Sequence, residues 1–251
     1  AGDNAASAVG MGTVQPGSAF VSLGTSGVLF AANASYLPNP ESAVHTFCHA
    51  LPNAWHQMGV ILSATDSLNW LAGITGREAA ELTAGLGDKL RPPSGVTFLP
   101  YLSGERTPHN DAAIRGVFAG LSHQTARTEL TQAVLEGVAF AVRDCLEALR
   151  AAGTELSRVT AIGGGSRSRY WLAAIATALQ LPVDVPADGD FGAAFGAARL
   201  GLVAATGADP FATFTAPATA ETIEPDAGQS AAYEEAYARY RSLYPAIRSV
   251  T

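Results

Sequence analysis

At 251 residues, 48% hydrophobic and 15% charged, the chain carries enough apolar material for one sizeable core and excludes a largely disordered polymer. The net charge of −7, with scattered arginines and no basic stripe, excludes a nucleic-acid binder. No run of 18 apolar residues is present to cross a membrane. Two well-separated cysteines, Cys48 and Cys145, suggest no disulfide framework, so the expected setting is a reducing cytoplasm.

In chain order, residues 18–23 and 28–32 read as short strands joined by Gly24-Thr25-Ser26-Gly27. Residues 55–62 make a third strand. A helix is predicted over 64–74, with Leu68, Leu71 and Ile74 at helical spacing and Gly76 as its stop. Glycine and proline mark 85–95 as a connection, and 99–110 is a loop dense in functional residue types. Leu130, Val134, Val138, Val142 and Leu146 recur every four residues and predict one long helix over 129–149, capped by Thr128 or Thr125 and stopped at Gly153. A strand at 159–162, a turn at 163–165, a helix over 168–181, a strand at 183–185 and a small-residue helix over 192–203 follow. Residues 206–228 read as a mobile connector, and 231–243 as a last helix whose stripe of Tyr233, Tyr237, Tyr240 and Tyr244 packs on the body. Strands first, then alternating helices and strands, point to a single α/β domain over 1–251, built on a mainly parallel sheet in its second half.

Two glycine sites could hold an anion. Residues 22–27 join two strands through small and hydroxyl side chains, which suits either a phosphate loop or an ordinary hairpin turn. Ile162-Gly163-Gly164-Gly165-Ser166-Arg167 follows a strand and opens a helix, so free amides and the helix dipole converge there. A dinucleotide fingerprint is excluded by glycine spacing, although Asp184 lies near the distance of its acidic residue. His45 and His49, with Cys48 between them, sit in strand-like sequence where i and i+4 do not share a face, so no metal site is expected. Glu105 and Arg106 fit a structural clamp or a place facing a cleft, and Trp70 and Trp171 fit the core or its edge.

These pieces resemble the FGGY family of carbohydrate kinases over nearly the whole chain. Residues 116–121, Gly-Val-Phe-Ala-Gly-Leu, then seven residues, then residues 129–136, Glu-Leu-Thr-Gln-Ala-Val-Leu-Glu, look like its C-terminal signature. Gly2-Asp3-Asn4-Ala5-Ala6 resembles the segment that carries the family's catalytic aspartate. Residues 47–52 and 99–109 resemble its pentulose-phosphorylating members, with D-xylulose the first substrate. Another pentulose, an aldonate, or a nucleotide-binding module without kinase activity are the alternatives. Ser166, where alanine is commoner, and Asp190-Phe191, where a Glu-Gly pair is usual, depart from the pattern.

The resemblance implies one lobe of an actin-like, ribonuclease H-like ATPase: a mixed sheet flanked by helices. It implies ATP with Mg²⁺ as cofactors and a homodimer. It also implies an N-terminal sugar-binding lobe outside these residues, without which turnover is expected to be small. Asp3 would take the proton of the sugar hydroxyl, and Asn4 would orient sugar or base. Gly24, Thr25 and Ser26 would meet the terminal phosphates. Gly164, Gly165 and Ser168 would lie under the α-phosphate and adenosine, with Gly116 a further nucleotide contact.

Overall fold

The computed structural model describes residues 2–187 and 192–249, so Asp190 and Phe191 lie outside the described residues. Helix α1 (Asp3–Gly10) is followed by strands β1 (Ala19–Leu23), β2 (Gly27–Asn33), β3 (His45–Cys48) and β4 (Trp55–Ile61). Helices α2 (Thr65–Thr75) and α3 (Ala79–Ala84) lead to a two-stranded ribbon, β5 (Thr97–Leu99) and β6 (Val117–Ala119), then to the long α4 (Arg127–Ala151). Next come β7 (Val159–Ile162), α5 (Arg169–Leu179) and β8 (Val183–Pro186). The chain ends with α6 (Ala193–Thr206), α7 (Pro210–Thr213), β9 (Thr219–Ile223) and α8 (Ser230–Ile247).

Seven strands form one sheet in the order β3-β4-β2-β1-β7-β8-β9. β7 is parallel to β1 and β8, and the remaining neighbours are antiparallel. An antiparallel meander continued by parallel strands through helical crossovers is the ribonuclease H-like core of an actin-like ATPase lobe. Period-two alternation builds its two faces. Val21, Leu23, Leu29 and Ala31 enter the large cluster under α4, while Phe20, Phe30 and Ala32 point to the other face. Of the predicted α4 face, Val134, Val138, Val142 and Leu146 are fully buried, and Leu130 packs at its margin. The tyrosine stripe behaves as expected, with Tyr233, Tyr237 and Tyr240 buried. No helix among the described residues is long and apolar enough to cross a membrane.

Several local readings change. Neither threonine caps α4: the Thr125 hydroxyl accepts from the Ser122 amide in a turn, and the Glu129 carboxylate reaches back to the Ala126 amide at 2.6 Å. Residues 206–228, read as a connector, carry α7 and the edge strand β9 paired with β8. Composition missed them because a four-residue helix and a half-exposed edge strand show no clear hydrophobic period. For the same reason the six-residue α3 and the three-residue β5 and β6 gave no sequence signal.

Candidate functional site

β1 and β7 run parallel with Ser22 opposite Ile162, so both leave the sheet at the same edge. The chain exits β1 through Gly24-Thr25-Ser26 and β7 through Gly163-Gly164-Gly165, so the second glycine loop packs on Leu23, the residue that leads into the first. Thr25 and Ser26 stand exposed. The backs of their peptides are occupied: Thr65 N–H donates to the Gly24 carbonyl at 2.9 Å, and Ala64 N–H to the Thr25 carbonyl at 2.8 Å. The Thr65 hydroxyl adds a second bond to Gly24 at 2.8 Å. The first amides of α2 thus find their acceptors in the loop, and the loop's carbonyls turn inward.

The second loop is shaped by lack of room. Gly163 has φ +89°, and a Cβ there would stand 2.7 Å from the Leu23 carbonyl oxygen. At Gly165 it would stand 2.8 Å from Leu23 Cβ. Gly164 has nothing within 4 Å and faces open space. The Ser166 hydroxyl turns back to the Gly163 carbonyl at 2.7 Å, so this departure from the family pattern tightens the turn. Ser168 caps α5 by accepting from the Trp171 amide. The helix therefore opens towards the loop with its positive dipole end.

Between this loop and the α2–α3 pair lies a cavity of 440 Å³, within the range of small-molecule sites. Gly164, Gly165 and Ser168 form one side, with Arg167 beside them and the Trp171 ring at the back. The indole N–H is fixed to the Leu135 carbonyl at 3.0 Å, which holds that wall still. Thr65, Leu68 and Asn69 of α2 and Ala79, Ala80 and Thr83 of α3 close the other side. None of these α2 and α3 residues was singled out from the sequence. They come from two helices that only the fold brings opposite the glycine loop, and an Asn or Thr on a helix carries no signal of its own.

Asp3 and Asn4 sit in the first turn of α1, with Asp3 exposed and its Oδ1 accepting from the Asn4 amide at 2.8 Å. α1 packs on α6 at Gly196, where any Cβ would collide with the Ala6 carbonyl. One turn further along α6, Arg199 donates to the carbonyls of Val9 at 3.1 Å and Gly10 at 3.2 Å. It thereby neutralises the negative end of α1. The two helices therefore begin at the same end, and α6 follows β8, which is parallel to β7. Asp3 and Asn4 thus start α1 at the edge of the sheet where the glycine loops lie. Gly116 stands apart from the cavity lining, at the entry to β6. A Cβ there would meet Leu102 Cδ2 at 2.7 Å and the Leu99 carbonyl at 3.2 Å, a steric reason for glycine.

The remaining candidates are structural. The His49 Nε2–H donates to the Thr13 carbonyl at 3.0 Å, and its Nδ1 accepts from the Ala50 amide at 2.8 Å. His56 stacks on Phe30 with centroids 4.7 Å apart, and burial lowers its pKa to about 4. Among the described residues no three His, Cys, Asp or Glu side chains gather as a metal-ligand set. Glu105 is buried and accepts from the amides of Leu62 at 3.0 Å and Arg106 at 2.8 Å. Its role is to clamp backbone, as one of the two sequence readings held.

Residues 19–205 match the C-terminal domain of the FGGY family of carbohydrate kinases. The chain is 47% identical to the xylulose kinase of Escherichia coli over 247 residues, covering 97% of this chain and 51% of that protein. A crystal structure of a xyloylose kinase from Brucella ovis superposes with a TM-score of 0.98 at 67% identity, over 100% of this chain and 52% of that one. The xylulose kinase of Rhodospirillum rubrum follows with a TM-score of 0.87 at 30% identity, over 99% and 51%. The chain spans about half the length of the curated relatives it matches.

Proposed function

The chain belongs to the FGGY family of carbohydrate kinases, and on that premise we propose that it supplies the ATP site and the catalytic base for phosphorylating a pentulose, D-xylulose first. The observation that carries this reading is that two glycine loops leave neighbouring parallel strands at one edge, the second of them lining a 440 Å³ cavity. In the proposed reaction the cavity takes adenosine, and Gly164, Gly165 and Ser168 receive the α-phosphate. Thr25, with the amides of Gly24 to Ser26, holds the terminal phosphates, where charge redistributes in the transition state. The sugar hydroxyl oxygen attacks the γ-phosphorus as the bond to the β–γ bridging oxygen breaks. The hydroxyl proton passes to the Asp3 carboxylate, and Asn4 orients the acceptor. Gly116 shapes the approach to β6 and stays an indirect member of the site.

A Mg²⁺ is proposed to arrive on the nucleotide phosphates, with Asp3 as the carboxylate at that edge. Bound there, the ion would neutralise phosphate charge. The sugar pocket is proposed to lie in the other half of the full-length protein, and both free cysteines, Cys48 and Cys145, fit a cytoplasmic setting.

The test is phosphorylation of D-xylulose, other pentuloses and gluconate by the full-length protein with ATP. D-Xylulose is expected to have the highest kcat/KM. No phosphorylation of any sugar, with saturable MgADP binding retained, would establish a nucleotide-binding module instead.

A further inference from the structure

The loop after β5 contributes a residue to the phosphate site without reaching it. Glu105 is 2% exposed. Its Oε1 accepts from the Leu62 amide at 3.0 Å and the Arg106 amide at 2.8 Å, and its Oε2 is buried without a partner. A buried carboxyl with one idle oxygen is costly to keep, and an apolar side chain in its place would leave the Leu62 and Arg106 amides without an acceptor. Leu62 directly follows β4, and two residues on, the amides of Ala64, Thr65 and Asp66 hold the 24–26 loop from behind. Ala64 donates to the Thr25 carbonyl at 2.8 Å, Thr65 to the Gly24 carbonyl at 2.9 Å and Asp66 to the Thr25 carbonyl at 3.3 Å. The same segment is tied to the loop again one step along β4. There the Thr107 hydroxyl accepts from the Val60 amide at 3.0 Å, and the Thr107 amide donates to the Val60 carbonyl at 3.0 Å.

We propose that Glu105 is a positioning residue for the phosphate-binding loop: its Oε1 fixes the β4–α2 junction, and that junction aims the amides and hydroxyls of Gly24, Thr25 and Ser26 at the nucleotide. The inference rests on the kinase reading above. It makes 99–111 the part of the molecule that sets nucleotide affinity from outside the nucleotide site. A single acceptor oxygen carries the role, so glutamine should serve and leucine should not.

The experiment measures KM for ATP, KM for the sugar, kcat and Tm in the full-length enzyme, for wild type, Glu105→Gln and Glu105→Leu. Leucine fills the space and removes the acceptor. It is expected to raise KM for ATP about tenfold, the loss of one buried hydrogen-bond anchor, with KM for the sugar unchanged. Glutamine keeps the acceptor and is expected to stay within about twofold of wild type. Leucine matching wild type, or glutamine failing as leucine does, overturns the proposal. So does a leucine variant that loses kcat only in proportion to its unfolded fraction. Hydrogen exchange on the wild-type enzyme gives a test that needs no variant: MgADP should slow the Leu62 and Arg106 amides along with Thr25. Slowing confined to Thr25 would refute the strut. A wild-type protein that phosphorylates no sugar fails the kinase reading itself; an active one with a silent leucine variant fails this inference alone.

Discussion

The two glycine loops leave neighbouring strands at the same edge, yet the chain shapes them by different means. Residues 24–26 are held by bonds: three amides and a hydroxyl from the start of α2 engage the Gly24 and Thr25 carbonyls. Residues 163–165 are held by exclusion, since Gly163 takes φ +89° and Leu23 leaves no room for a side chain. At Gly24 the nearest atom to an added Cβ is the Ser26 carbonyl oxygen at 3.5 Å, an ordinary contact. A loop held by bonds tolerates added bulk but not a lost partner, and a loop held by exclusion has the reverse sensitivity. Neighbouring loops proposed to serve one ligand can therefore fail in different ways.

The largest expected effect separates both loops from the chemistry. In the full-length enzyme Asp3→Ala should lower kcat by about a thousandfold, the scale of a lost general base, while MgADP affinity by calorimetry stays near wild type. Loss of nucleotide binding in that variant would mean that α1 shapes the phosphate site as well.

Next in size is the contrast between the loops. Gly163→Ala should cost about 3 kcal/mol of unfolding free energy, through its left-handed φ and the clash with Leu23. Gly24→Ala should cost under about 1 kcal/mol and show its effect in nucleotide binding. Denaturant unfolding of both variants checks this, and equal losses would erase the distinction.

Smaller still, Thr25→Val should weaken ADP about tenfold with Tm unchanged, because an exposed hydroxyl is lost and no packing is disturbed. A fall in Tm with affinity intact would place Thr25 in the scaffold.

The smallest effect is a slope with pH. Burial raises Glu105 to about 8 and Glu136 to about 7, from 4.5 in the open chain. Asp144 pushes Glu105 further up, while the Leu62 and Arg106 amides and the Arg106 charge oppose this. Folding favours the protonated carboxyls, so their contribution is complete below about pH 4.5 and is lost as pH rises through 7 and 8. Stability should therefore fall gradually as pH rises across that window. Glu105→Gln should flatten its share of the slope, as read from unfolding at several pH values. The loop at 163–165, bonded by the Ser166 hydroxyl and by backbone amides, should add nothing to the slope.

Much of this was legible in the chain. The hairpin at 18–32, the four-residue period of α4 and the strand–glycine–helix run at 159–179 follow from short-range pattern, and the observed elements agree within a few residues. The glycine loops were legible because a loop that must admit a bulky anion or a neighbouring strand needs residues without Cβ atoms. Three kinds of feature were not. The short elements α3, β5 and β9 have too few positions to show a period and lack the turn-bounded apolar run that marked β1 and β7. The α4 cap depends on which of several polar side chains wins the free amides, and Glu129 won from inside the helix. Asn69, Thr83 and Glu105 belong to the site, or support it, only through contacts with distant segments.

The sequence by itself determined the order of the longer strands and helices, the two glycine loops, the Gly2-Asp3-Asn4 segment, and the family these together belong to. Those features are local, set by side-chain period, backbone freedom and residue type over a few positions. Tertiary structure alone decided that the second loop packs on Leu23 beside the first, because only the parallel pairing of β1 with β7 returns the chain to one edge after the 138 residues between Gly24 and Gly163. It decided which helix faces close the cavity, and that the carboxyl of Glu105 would spend one oxygen behind the phosphate loop and none in the cleft. Contacts between segments far apart in sequence depend on packing the whole core at once, and no window of the chain contains that information.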